Sequence, residues 1–320
     1  MRIIAGAFLI AGLTLTPVVA DPGQWTSDGW KTEFTKTSID FGDIVSGGPP
    51  RDGIPSIDDP VFVKASMIDD IGDREPVIIF PLEGEPRAYP LRILIWHEIV
   101  NDVVDDRPVA VTYCPLCNSA VVFDRRSSDQ VLEFGTTGKL RNSDLVMYDR
   151  QTETWWQQFS GEAIVGTLTG QKLKMLPSRI VSFETFRSEH PEGPVLVPRD
   201  ATFRDYGNNP YVSYDTAAAP FLYRGTLPED IPAMVHVVIV QTGDRPIIVT
   251  LNKVREGNFE RDGYVVSYEG DVASALDSRS IADGRSIGSV RVTKDGRDVP
   301  HDVSFAFVAN AFHPDVVIQD

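Results

Sequence analysis

Cys114 and Cys117 are the only two cysteines of the chain, and they stand together in Cys114-Pro115-Leu116-Cys117. Two thiols at this spacing can close a disulfide, hold a metal ion, or cycle between dithiol and disulfide. Closing so short a loop stabilises a fold by only about 2 kcal/mol in the chain-entropy account. Chain entropy alone is thus a modest reason to keep the pair. The flanks help to separate metal from redox chemistry. A thioredoxin-like pair sits at a helix N-terminus, where the dipole lowers the thiol pKa. Here Val109 to Tyr113 precedes the motif and Ala120-Val121-Val122-Phe123 follows it. β-branched residues on both sides predict a strand-to-strand turn, the setting of a metal knuckle.

Two thiolates rarely complete a metal site, and a tetrahedral zinc site needs further donors. His97, Met147 and His190 are the candidates. His97 lies in Trp96-His97-Glu98, on a helix expected just before the cysteine strand, and it is the predicted third ligand. A hydrogen-bonded, half-buried histidine is the competing role for it. His190 precedes Pro191 and reads as a helix end, and Met147 in Leu-Val-Met-Tyr reads as core. Sulfur ligands favour copper(I), and the mixed sulfur and nitrogen set also suits zinc.

A second polar cluster runs through Arg141-Asn142-Ser143-Asp144, Asp149-Arg150 and Trp155-Trp156-Gln157-Gln158. Asn142 and Asp144 are candidates to line a pocket with Trp155 as its apolar wall. A capped β-turn beside packed aromatic core is the alternative. The sequence has no G-x-S-x-G nucleophile elbow and no H-E-x-x-H pair. Gly135 to Lys139 lacks the spacing of a phosphate loop. Hydrolase, NTPase and dinucleotide chemistry lose their usual supports.

The elements that must position these residues are mostly short strands. Pro76 to Leu82 reads as a buried strand, and Pro90 opens a predicted helix over LRILIWHEIVNDVV, with Leu91, Ile95 and Ile99 on one face. Val131 to Phe134, Leu145 to Tyr148, Thr154 to Phe159 and Ala163 to Leu168 read as strands between glycine turns. A short helix is predicted over Phe183 to Glu189. Val235 to Val240 and Pro246 to Leu251 are strands again. Ser182-Phe183, His190-Pro191 and Val195-Leu196-Val197 recur in order as Ser304-Phe305, His313-Pro314 and Val316-Val317-Ile318. This predicts that residues 76–197 and 234–318 are two related halves, the second shorter and without cysteines.

Composition limits the function classes. The 320 residues carry a formal charge of -16, which disfavours nucleic acid and anionic membrane surfaces as partners. With 25 Gly and 23 Pro against five Met, a turn-rich, β-rich α+β fold is predicted, with antiparallel or mixed sheets and few short helices. Arg2, the apolar run Ile3 to Leu15, and Val18 and Ala20 ahead of Asp21 have the plan of a cleaved signal peptide. The expected organisation is a signal peptide over 1–20, an extended arm over 21–60, a main domain over 61–215 and a second half over 216–320. The mature protein is expected to be soluble and periplasmic, without stable membrane insertion, and to meet a redox or metal-delivery partner there.

The runs YPLRILIWHEIVND, VAVTYCPLCNSAVVFDR and NSDLVMYDRQT, with Trp155 and Gln157 nearby, resemble the DUF3179 family of exported bacterial and archaeal proteins. The match is dense from about Pro76 to Pro191. Ala311 to Pro314 (AFHP) is similar to the family's closing motif, but VSFAFVANAFHP lacks the tryptophans of that stretch. The resemblance implies export. It sets His97, Tyr113, Cys114, Cys117, Asn142, Asp144 and Asp149 where the family pattern has polar or thiol residues, without assigning roles. The first expectation is therefore a copper- or zinc-binding exported protein with Cys114, Cys117 and His97 as ligands. A periplasmic thiol-disulfide oxidoreductase attacking through Cys114, and a scaffold with a permanent disulfide, are the alternatives.

Overall fold

Short runs of β-branched and aromatic residues, separated by Gly, Asn and Asp turns, give up strands too short for any one sheet to dominate. The computed structural model describes residues 21–127, 129–243 and 245–320, and the predicted signal segment, residues 1–20, lies outside them. Strands take 38% and helices 15%, so the β-rich expectation holds. No helix of the described residues is long and apolar enough to cross a membrane.

Three sheets of four or five strands build most of the first half, beside a two-stranded pairing of Arg126–Ser127 with Gln130–Val131. One runs Ile44–Ser46, Phe134–Arg141, Asp144–Asp149, Trp155–Gln157, Ala163–Val165. A second runs Lys174–Leu176, Ser119–Asp124, Arg107–Cys114, Ile99–Val104. The third runs Arg179–Ser182, Pro76–Phe80, Arg87–Pro90, Pro194–Val197, Val61–Lys64, and its Val195 to Ala88 pairing is parallel. In the second half, Ile247–Thr250, His236–Val240 and His301–Phe305 form one sheet, and Phe259–Arg261, Tyr264–Gly270, Ser289–Lys294 and Arg297–Asp298 another. The largest apolar cluster joins Ile78, Val111 and Phe123 to Val237, Phe305 and Phe307, so both halves share one core.

The helix after Pro90 is shorter than expected. It covers Leu91–His97 and stops at Glu98, whose φ of 59° leaves the helical region. Ile99–Val104 then pairs antiparallel with Arg107–Cys114, from Ile99 opposite Thr112 to Val104 opposite Arg107. Asp105 and Asp106 both have positive φ and make the two-residue hairpin turn. The second half of the predicted helix, Ile99 to Val104, is therefore one strand of a hairpin. Its valines satisfy a strand buried in the core as well as they would a helical face. The helix over Phe183–Glu189 forms as predicted, with the Ser182 hydroxyl capping Thr185 N and the chain leaving at His190 ahead of Pro191.

Residues 21–60 are largely irregular but tied down. Trp25 from the helix Pro22–Ser27 packs its ring 4.8 Å from Trp155. Ile44–Ser46 pairs with the strand Phe134–Arg141. Between Pro194–Val197 and His236–Val240, a strap over residues 198–235 has one short 3-10 turn, Tyr214–Thr216. It crosses the cysteine hairpin.

Candidate metal centre

The cysteine motif is the turn between Arg107–Cys114 and Ser119–Asp124, with Cys114 opposite Ser119. Cys117 N donates to Cys114 O at 3.2 Å and Asn118 N to Pro115 O at 3.2 Å, and Asn118 takes a positive φ of 51°. Two overlapping turns thus bring both sulfurs to one side. The strand-to-strand placement predicted from the flanking valines is what forms. Both cysteines are buried free thiols.

A second tight turn faces them. Arg141 pairs with Asp144 across Asn142 and Ser143, which have φ of 56° and 61°. This two-residue, positive-φ turn presents the Ser143 carbonyl to both sulfurs, at 3.8 Å from Cys114 and 3.4 Å from Cys117. It also starts the strand that carries Asp144. The two sulfurs and one Asp144 carboxylate oxygen all lie within 4.8 Å of one another. Two sulfurs bound to one tetrahedral zinc at about 2.3 Å each stand about 3.7 Å apart, so this group is close to ligand spacing.

Asp144 is fully buried. Its Oδ1 accepts from Gln157 Nε2 at 2.5 Å and from Phe159 N at 3.0 Å. Its Oδ2 has no hydrogen-bond partner. Burial pushes the carboxyl up to about 6 despite those donors. Glu98, at the strained helix end, is buried too. Burial and the charge of Asp144 push it up to about 8. Burial likewise raises both thiols. Four acids packed together out of water each raise the cost of ionising the next. A cation seated among them would reverse that cost. The bare Asp144 oxygen beside two thiols fits such an ion.

The walls come from both ends of the chain. Tyr113, one residue before the motif, donates through its hydroxyl to Asn118 Oδ1 at 3.2 Å. Tyr214 from the strap donates to Leu116 O at 2.9 Å and accepts from Phe221 N at 3.3 Å. The strand His301–Phe305 closes the far side. Cys117 O accepts from Ser304 Oγ at 2.7 Å and from Phe305 N at 3.3 Å, while Asn118 Nδ2 donates to Val303 O at 3.2 Å. Ala120 N donates to Asp302 Oδ1 at 2.9 Å.

The third donor beside the sulfurs is therefore Asp144, which was expected only as a pocket residue, and not His97. Both ring nitrogens of His97 are engaged: Nδ1 with Pro55 O and Nε2 with the Tyr206 hydroxyl, each at 2.7 Å. The ring is also stacked by Tyr206 and Phe203. With the helix ending at residue 97, the imidazole pins the strap. Asn142 shapes the Ser143 turn. Asp149 sits at the other end of the Asp144 strand, taking Thr152 N at 2.6 Å and Trp156 Nε1 at 2.9 Å. Trp155 is no wall of the site; it faces Trp25, Trp30 and Phe34. His190 ends its helix with the ring 5.5 Å from Phe186, and Met147 is core. Glu98, Ser143, Gln157 and Tyr214 were not foreseen at the site, although Trp96-His97-Glu98 and the Asn142-Ser143 turn point toward the first two.

The family model described as Protein of unknown function (DUF3179) matches residues 51–316. The chain belongs to the DUF3179 family. Comparison with curated proteins and with solved structures finds no match.

Proposed function

We propose that this is an exported protein that holds a soft metal ion, zinc foremost, between Cys114, Cys117 and Asp144. The carrying observation is the fully buried Asp144 Oδ2 without a partner, set against two free thiols. A carboxylate in place of an imidazole moves the donor set toward zinc, because a hard oxygen is a poor ligand for copper(I). Gln157 and the Phe159 amide hold the other carboxylate oxygen, the outer support that fixes a ligand's direction. Thiol-disulfide exchange is the weaker alternative. An attacking cysteine needs a depressed pKa and access, whereas burial raises both thiols here. Metal analysis and thiol counting on protein purified from the periplasm without chelator test the proposal. About one zinc per chain, lost in Cys114→Ser, supports it; metal-free protein with an intact disulfide defeats it. Export is tested by intact mass, which should begin at Asp21.

We also infer that the halves arose by duplication. Pro76–Phe80 is flanked by Arg87–Pro90 and Arg179–Ser182, as His236–Val240 is by Ile247–Thr250 and His301–Phe305. Leu91–His97 and Leu251–Glu256 follow the corresponding second strands, and Phe183–Glu189 and Ala306–Phe312 the third. Even the parallel pairing recurs, as Val195 with Ala88 and Val249 with Gln319. A crystal structure in which residues 76–197 and 234–318 do not superpose over these elements would reject the duplication.

A further inference from the structure

A cavity lies where the strap meets the second half, and neither cysteine is among its lining residues. It measures about 380 Å³, within the range of small-molecule sites. Its floor is apolar, from Met234, Leu251 and Ile287, and its rim carries Arg255 and Arg285. Two buried side chains in its lining have polar atoms without partners. His236 is 7% exposed and its Nε2 has no hydrogen bond. Asp215 is 3% exposed and its Oδ1 has none. Its other oxygen is taken by Ser274 Oγ at 2.6 Å and Arg285 Nη2 at 3.0 Å.

The two arginines are not equally matched. Asp215 pairs directly with Arg285, whereas Arg255 touches no carboxylate among the described residues, donating to Ser286 O at 3.1 Å and lying 5.7 Å from the ring centre of Tyr268, whose hydroxyl holds the more distant Asp271. Burial, then Arg285 and Arg255, push His236 down to about 3, so the imidazole is neutral and can both donate and accept.

We propose that this cavity binds a small amphipathic organic acid. Its carboxylate meets the Arg255 and Arg285 guanidinium groups, its apolar body covers Met234, Leu251 and Ile287, and a further polar group reaches His236 Nε2. Guanidinium and carboxylate match in planar, charge-assisted pairs. The floor selects against bare inorganic anions, which would leave it wet. The site makes no use of the thiols and stands or falls apart from the metal proposal.

The test titrates full-length mature protein with acetate, butyrate, benzoate, octanoate, inorganic phosphate and neutral benzamide. Affinity is read by calorimetry, and the imidazole nitrogens are followed by NMR. Benzoate or octanoate should bind saturably and shift the His236 signals. Acetate and phosphate should bind at least about tenfold more weakly, and benzamide not at all. Arg255→Gln should weaken binding at least about tenfold with the melting temperature unchanged, and Arg255→Lys should restore part of it. Cys114→Ser should bind as the wild type does. The proposal is overturned if no carboxylate binds below about 10 mM, if phosphate binds tightest, or if Arg255→Gln binds like the wild type.

Discussion

The carbonyl oxygen of Ser143 lies 3.4 Å from the sulfur of Cys117. Two tight turns from different sheets thus meet head-on, one carrying both thiols and the other carrying Asp144 one residue later. Neither turn alone is a site. Their contact brings the two sulfurs and the Asp144 carboxylate together, and the variants below test the proposed site from each side.

Cys114→Ser and Cys117→Ser should each abolish binding of zinc and of its spectroscopic substitute cobalt(II). Asp144→Asn should keep the fold and weaken binding by about tenfold or more. His97→Ala should leave metal binding unchanged, because its nitrogens hold Pro55 and Tyr206. The sulfur-to-cobalt charge-transfer band is the readout. A band unchanged in Asp144→Asn and lost in His97→Ala would restore the histidine as third ligand.

Stability of the metal-free protein should depend on pH from both sides. Glu98, Asp302 and Asp144 are pushed up to about 8, 7 and 6, so the folded state binds protons that the unfolded chain releases near ordinary carboxylate values. Their contribution is full below about pH 4 and is lost as pH rises from there through 6, 7 and 8 in turn. His236, pushed down to about 3, works oppositely: the unfolded chain takes up a proton near 6.5, and stability falls as pH drops below that. Three raised acids outweigh the one histidine, so urea unfolding should show stability falling as pH rises from about 5 to 8. Added zinc should lessen this decline, since binding displaces the Asp144 proton together with those of the thiols.

Tyr214→Phe removes the hydroxyl shared by Leu116 O and Phe221 N and should cost about 1–2 kcal/mol. It should also speed modification of both thiols by an aromatic disulfide reagent, because the strap loses its hold on the hairpin turn. Equal thiol reactivity in wild type and variant would show that the strap does not guard the site.

Trp25→Ala should cost about 3–5 kcal/mol, the usual range for a large aromatic removed from a packed cluster. Near-UV circular dichroism and the urea midpoint check it. A free N-terminal arm would lose nothing.

Much of this was legible where local chemistry decides. Valines on both sides of the cysteines put the motif on a hairpin, and Pro191 marked the end of the short helix around Phe183 to Glu189. Contacts between distant segments were not legible. Nothing local distinguishes Asp144 from His97 as the group that reaches the sulfurs; sheet packing decides it. Leu91, Ile95 and Ile99 share a spacing, yet the first two lie in a helix and the third in a strand, since the core rewards burial in either form. Trp155 and Trp156 alternate across one strand, as neighbours must. One joins the N-terminal rings and the other stacks on edge with Phe134, and which goes where depends on partners far along the chain.

The bonds from Ser304 and Phe305 to the Cys117 carbonyl carry a consequence for biogenesis. The thiols come early in the chain, and the strand that completes their enclosure comes almost last. During synthesis the dithiol stays open to oxidants and to metal until nearly the whole polypeptide has emerged. The interval before the C-terminal strand docks would then be the window for capture of the proposed ion, and a chain interrupted before His301 would leave the Cys117 carbonyl without these donors.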